Sequence, residues 1–232
     1  MIGTLANLAV ASLAFIASHF ILSSQPMRKV LVGVLGEGFF AIVYAAIAAG
    51  LLTWMVMAFQ AAPTDVYWDV TTGTRHLAMS VMLLSALLLA AGYTSYNPTA
   101  IGLDRLVVPN EPAPGILKVT RHPVMWAIAL WGVIHMVVNG DSASLIFFGG
   151  LVFLALAGTV ALDRKKAITL GAERWGQLLR VTSNLPFLAL IQGRCRVTLG
   201  EIGWWRLGLG LIVYLAFLYG HGPAIGIPLI GR

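Results

Sequence analysis

Residues 143–162 read ASLIFFGGLVFLALAGTVAL, twenty positions without a charge, and the next four are Asp163, Arg164, Lys165 and Lys166. At 1.5 Å per residue such a run makes about 30 Å of helix, the thickness of a bilayer's hydrocarbon core. The apolar positions are continuous rather than alternating, which excludes the strand of a membrane β-barrel. The charges that follow mark where the chain is expected to meet water.

Five further stretches repeat the pattern, at about 2–22, 36–59, 76–93, 123–139 and 204–220, of which 123–139 is short. The whole chain of 232 residues is 59% hydrophobic and only 10% charged, against about 25% charged in soluble proteins. The expected fold is an all-α integral membrane protein, a bundle of about six transmembrane helices forming a single domain over 1–232. No stretch is long and polar enough for a large water-soluble catalytic domain. Residues 1–22 lack a basic leader and an Ala-x-Ala cleavage site, so they are expected to stay as the first span. The apolar patch at 185–191 is too short to cross and is expected at the interface or in a re-entrant turn.

Basic residues set the orientation. Arg28 and Lys29 follow the first span; Arg105, Lys118 and Arg121 lie between the third and fourth; eight more, from Arg164 to Arg206, lie between the fifth and sixth. Only Arg75 and Arg232 fall on the other side. The positive-inside rule then places both termini on the periplasmic side of a bacterial inner membrane. The net charge of +6 is explained by an anionic lipid surface rather than by nucleic acid. The lone Cys195 excludes an internal disulfide and any cysteine-rich metal centre.

Two long loops on the basic side offer room for a site. Residues 94–121 carry Asn97-Pro98, Pro109, Pro112, Pro114 and Gly115, an irregular stretch that cannot face lipid. The loop 163–203 holds an amphipathic helix candidate whose Ile168, Trp175, Leu178 and Leu179 are expected to face headgroups. On the opposite side Asn139-Gly140-Asp141 reads as a tight turn.

With one cysteine and few embedded acids, coordination chemistry falls to His19, His76, His122, His135 and His221. Histidines in spans face protein or a polar cavity, and neutral imidazole ligates haem iron, zinc or copper. The alternative for each is a hydrogen bond to a neighbouring carbonyl or hydroxyl. His122 precedes Pro123, which suits an N-cap followed by proline at N1. Thr120-Arg121-His122 at that helix start is a candidate anion or headgroup site, with an interfacial anchor as the plainer role for Arg121. His135 lies thirteen residues on, about 20 Å along the helix, so it cannot share an ion with His122. A bis-histidine haem is conceivable between the first and fourth helices or the fourth and sixth, and without a Cys-x-x-Cys-His motif it would be non-covalent. Zinc is poorly served, since no His-x-x-x-His is present and only Asp163 and Glu37 can join a site near the inner helix ends. For Glu37 the positive end of a helix is the better assignment.

The run from Ala113-Pro114-Gly115 through Thr120-Arg121-His122-Pro123, Trp126, His135 and Asn139-Gly140-Asp141 resembles the NnrU-type bacterial membrane proteins. Ser18-His19-Phe20, Asn97-Pro98-Thr99, Asp163-Arg164-Lys165-Lys166, Thr182-Ser183-Asn184 and His221 extend the resemblance over almost the whole chain. That family is linked with nitric oxide reduction and is related to 15-cis-zeta-carotene isomerase, a histidine-ligated haem b enzyme. The resemblance implies haem b held by His19 and His135, with His122 and His221 in reserve and Arg121 orienting a propionate. It implies an isomerase-like or redox-linked role on a lipophilic small molecule, or support of a respiratory or nitric oxide reductase complex. Two other classes stay open. One is a non-catalytic assembly or accessory subunit. The other is an S-adenosylmethionine-dependent membrane methyltransferase, whose pattern Arg121-His122-Pro123, Gly171, Trp175 and Leu185-Pro186-Phe187 also resemble. Asp163-Arg164-Lys165-Lys166 stands near the place where that second family commonly has paired acids.

Overall fold

A computed structural model describes residues 3–100, 113–227 and Leu229. Arg105, Pro109, Pro112 and Arg232 lie outside the described residues. Eleven helices are described: α1 (Leu5–Ser23), α2 (Gln25–Leu35), α3 (Glu37–Ala61), α4 (Thr72–Thr94), α5 (Ile116–Val119), α6 (Pro123–Asn139), α7 (Ser142–Leu170), α8 (Ala172–Val181), α9 (Leu188–Ile191), α10 (Leu199–Ile202) and α11 (Trp204–Ile225). Among the described residues the one strand-like feature is an isolated bridge between Val66 and Asp141. Five helices, α1, α3, α4, α7 and α11, are long and apolar enough to cross a membrane, and α6 is a shorter apolar helix of 17 residues. The protein is an all-α membrane protein.

The chain forms two compact units, one of Met1–Arg75 and Gly132–Leu154, the other of His76–Trp131 and Ala155–Arg232. In the first, Leu8, Ala11, Ser12 and Phe15 form the buried stripe of α1, at the i, i+3, i+4, i+7 spacing of one helix face. A side chain at Gly150 of α7 would collide with Ser12 Oγ, so the glycine lets the two backbones approach. The expected turn at 139–141 is present. Gly140 sits at φ 66°, its carbonyl accepts from the Tyr67 amide at 2.8 Å, and Trp68 Nε1 donates to the Val137 carbonyl at 2.9 Å. Asp141 then caps α7 through the Ser144 amide and hydroxyl.

In the second unit, Leu88, Ala91, Ile116, Val119, Ala127 and Ile202 share a core. Ser85 of α4 donates to the Ala127 carbonyl at 2.8 Å. Ala113, Leu117, Trp175 and Leu178 form a second cluster.

Three loop expectations change. The charged run 163–166, expected to open a loop, continues α7. Arg, Lys, Ala and Leu are good helix formers, and nothing stops the helix before Gly171 at φ 79°. With 29 residues α7 is about 43 Å long, more than a bilayer core needs. The apolar residues expected at the headgroups are also divided: Trp175 and Leu178 are buried in protein, whereas Ile168, on α7, is 70% exposed and Leu179 39% exposed. Gly171 puts Ile168 on a different helix from Trp175, while Leu178 and Leu179 are adjacent on α8 and differ in exposure within it. Finally, the basic segment after α1, taken as a loop, is the helix α2. The patch at 185–191 does not cross; it holds a left-handed Phe187 and the one-turn α9.

Candidate functional site

The head of α6 is built by a buried crossing of two chain segments. The Phe187 amide donates to the Val119 carbonyl at 2.7 Å and the Arg121 amide to the Ser183 carbonyl at 2.8 Å. Thr120 Oγ1 and Trp126 Nε1 both donate to the Asn184 carbonyl at 2.8 Å, and Asn184 Nδ2 donates to Thr159 Oγ1 on α7 at 2.8 Å. These bonds satisfy backbone that no regular ladder serves. They fix the link between α5 and α6, extended at Thr120 (φ −154°, ψ 142°), until the His122 carbonyl accepts the first helical bond, from the Trp126 amide.

That frame presents Arg121 and His122 to Asp163. Arg121 Nε donates to Oδ1 at 3.0 Å and Nη2 to Oδ2 at 2.6 Å, a two-pronged charge-assisted pair. Nη1 donates to Thr182 Oγ1 at 3.1 Å, and the guanidinium lies 5.6 Å from the Trp175 ring centroid. Arg121 is 6% exposed. His122 Nε2 lies 2.7 Å from Asp163 Oδ1. The carboxylate oxygen can only accept, so Nε2 carries the proton and Nδ1 holds a lone pair. Nδ1 is buried with no hydrogen-bond partner among the described residues.

Burial pushes the His122 imidazole below its ordinary value, against the pull of Asp163. Protonation would add a buried N–H with no acceptor beside a carboxylate that Arg121 already balances, so the neutral form is the folded one. A folded-state value below that of the unfolded chain adds stability above the unfolded value, about 6.5, and loses it as pH falls below that point. Detergent-solubilised protein is therefore expected to unfold at lower temperature at pH 5.5 than at pH 7.5. His122→Gln, which keeps a donor toward Asp163, should flatten that difference.

The anion at the start of α6 is thus the protein's own Asp163 carboxylate, and the Arg121 fork is occupied by it. The cluster ties α6, α7 and the end of α8 together and fixes one histidine tautomer. Thr182 and Trp175, which the sequence reading did not place here, complete the cluster with Asp163, expected only as an acid able to join a site near the inner helix ends.

Each of the other histidines has its own surroundings. His19, on α1, donates from Nδ1 to the Phe15 carbonyl at 2.8 Å and packs on Phe15 and Tyr44 at 4.4 and 5.8 Å. His135, on α6, lies 4.9 Å from Phe148. His221, on α11, donates from Nδ1 to the Ile227 carbonyl at 2.8 Å, and His76 is on α4. No group of three or more metal-ligating side chains is gathered among the described residues.

Residues 7–229 match the family model for NnrU protein. The chain belongs to the NnrU family. Two curated proteins share a segment with this NnrU chain. The 15-cis-zeta-carotene isomerase of Zea mays is 35% identical over 80 residues, which is 34% of this chain and 22% of that protein. The Arabidopsis thaliana protein of the same name is 32% identical over 80 residues, with the same shares. The NnrU chain therefore spans about a fifth of the length of these relatives. No solved structure matches it.

Proposed function

We propose that this NnrU protein is an isomerase-like membrane protein that holds haem b through His19 and His135 and acts on a lipophilic, polyene-type molecule. What carries the reading is the segment similar to 15-cis-zeta-carotene isomerase, in a chain whose spans carry histidines. His19 fits an iron ligand: a carbonyl oxygen only accepts, so its Nδ1 bears the proton and Nε2 keeps the lone pair. Fixing one ring nitrogen on a carbonyl is how haem and metal histidines are oriented. His221 has the same arrangement toward Ile227 and is the reserve ligand. His122 shows a like arrangement, with Nε2 held by Asp163 and Nδ1 keeping the lone pair, and stays a second reserve. Arg121 does not fit a propionate, because Asp163 and Thr182 take its guanidinium donors.

When bound, haem iron would supply a polarisable centre for rotation about one double bond without net redox change. The chain's own part is to orient the rings and exclude water. Phe15 and Tyr44 pack on His19, and Phe148 packs on His135. A bacterial inner membrane with both termini periplasmic, and nitric oxide reduction as the metabolic setting, belong to the same proposal.

Haem-replete purified protein is expected to show a Soret band. His19→Ala and His135→Ala should each weaken haem binding by more than the roughly 10–100-fold that losing a supporting group costs. An unchanged spectrum in both variants removes the ligand pair. Colourless protein that binds S-adenosylmethionine favours the methyltransferase, and colourless protein that co-purifies with a reductase favours the accessory subunit.

A further inference from the structure

Helix α2 has no buried residue along its 11 positions, although it sits between two of the most apolar helices in the chain. It is about 16 Å long, too short to cross a bilayer. α1 ends at Ser23 and α3 begins at Glu37. With both of those spanning, the two ends of α2 lie at the same membrane face.

The helix has a distinct bare side. At 100° per residue, Met27, Val30 and Val34 fall within an arc of about 60°, and they are 38, 63 and 79% exposed. Lys29 projects well away from that stripe, and α2 contains no acidic residue. Arg28 is engaged inside the unit, 3.0 Å from Glu37 and 5.3 Å from the Phe40 ring centroid. That contact fixes how α2 is rolled on α3.

We propose that α2 is an interfacial anchor lying in the plane of the membrane, with Met27, Val30 and Val34 in the headgroup–acyl boundary and Lys29 among anionic headgroups. The occupant of the bare stripe is lipid. Connectivity to two spans brings the stripe to the membrane surface, and the basic, acid-free polar side matches an anionic leaflet. The anchor sets the height of the last turn of α1, whose Ser23 hydroxyl caps the His19 carbonyl.

Spin labels on the full chain test this. In a Cys195→Ser background, cysteines are placed singly at Met27, Val30, Val34, Lys29 and Gly33, the last having open space around it. The protein is reconstituted in vesicles of phosphatidylcholine with and without phosphatidylglycerol. Labels at 27, 30 and 34 are expected to collide with dissolved oxygen several-fold more than with a water-soluble nickel chelate, and labels at 29 and 33 the reverse. In an added series, Lys29→Glu should raise nickel access at 30 and 34 in the anionic vesicles only. Equal nickel access at all five sites overturns the proposal by showing α2 standing in water. Labels at 30 and 34 shielded from both reagents also overturn it, since protein then covers the stripe.

Discussion

Asp163→Asn is expected to lower folding stability by about 3–5 kcal/mol, the cost of leaving a buried charge without its partner. The stranded group is Arg121, 6% exposed, which loses the carboxylate that takes both prongs of its guanidinium. Thr182 Oγ1 and the Trp175 ring remain, and neither carries a charge. The asparagine still offers its oxygen to His122 Nε2, so the loss reports on the arginine. Arg121→Met alone should cost a comparable amount, because Asp163 then keeps only a neutral imidazole. The double variant Arg121→Met/Asp163→Asn removes both charges and retains an acceptor for His122; it is expected to recover most of either loss. Equilibrium unfolding of the detergent-solubilised protein measures all three. A single Asp163→Asn variant within about 1 kcal/mol of the parent would mean that water reaches the cluster and that it does not clamp the helices.

The spans were legible because lipid allows so few solutions. The run expected at 36–59 is α3, Glu37–Ala61, and the run at 76–93 is α4, Thr72–Thr94. Loop conformation was less legible, since charge was read as a signal for both water and irregular backbone. It means neither by itself: Asp163 to Lys166 stay helical, Lys166 is buried and Asp163 is paired with the buried Arg121. In α2 the same reading hid a helix, because two basic residues, Arg28 and Lys29, interrupt its apolar run along the chain. At the site, Pro123 after His122 marked a helix start, and Arg121 beside it marked polarity. Their partner Asp163 lies 42 residues from Arg121, and Thr182 lies 61 away. Spacing along the chain carries no trace of such pairings; they arise only when residues 119–122 are laid against 183–187. His19 was legible as a ring inside a span, but its tautomer needed the Phe15 carbonyl.

Gly115→Ala is expected to cost about 2–6 kcal/mol, from two independent terms. The backbone there has φ 49° and ψ −114°, a region nearly closed to residues with a Cβ, where strain is of order 1–3 kcal/mol. An ideal Cβ would also lie 2.6 Å from the Glu201 carbonyl oxygen and 3.2 Å from Ile202 Cα. Both are backbone atoms that no rotamer change can move aside, which adds roughly 1–3 kcal/mol. Relief would require shifting α5 or α10, and α5 leads directly through Thr120 into Arg121. The same variant should therefore loosen the Arg121–Asp163 pair, read as a smaller coupling between Arg121→Met and Asp163→Asn in the Gly115→Ala background. Gly208→Ala is the matched control: the glycine is helical, an added Cβ meets nothing within 4 Å, and the change should be neutral or stabilise by up to about 1 kcal/mol. Equal melting temperatures for the two alanine variants would show that residues 113–119 yield freely, and the head of α6 would then owe its geometry to the 183–187 segment alone.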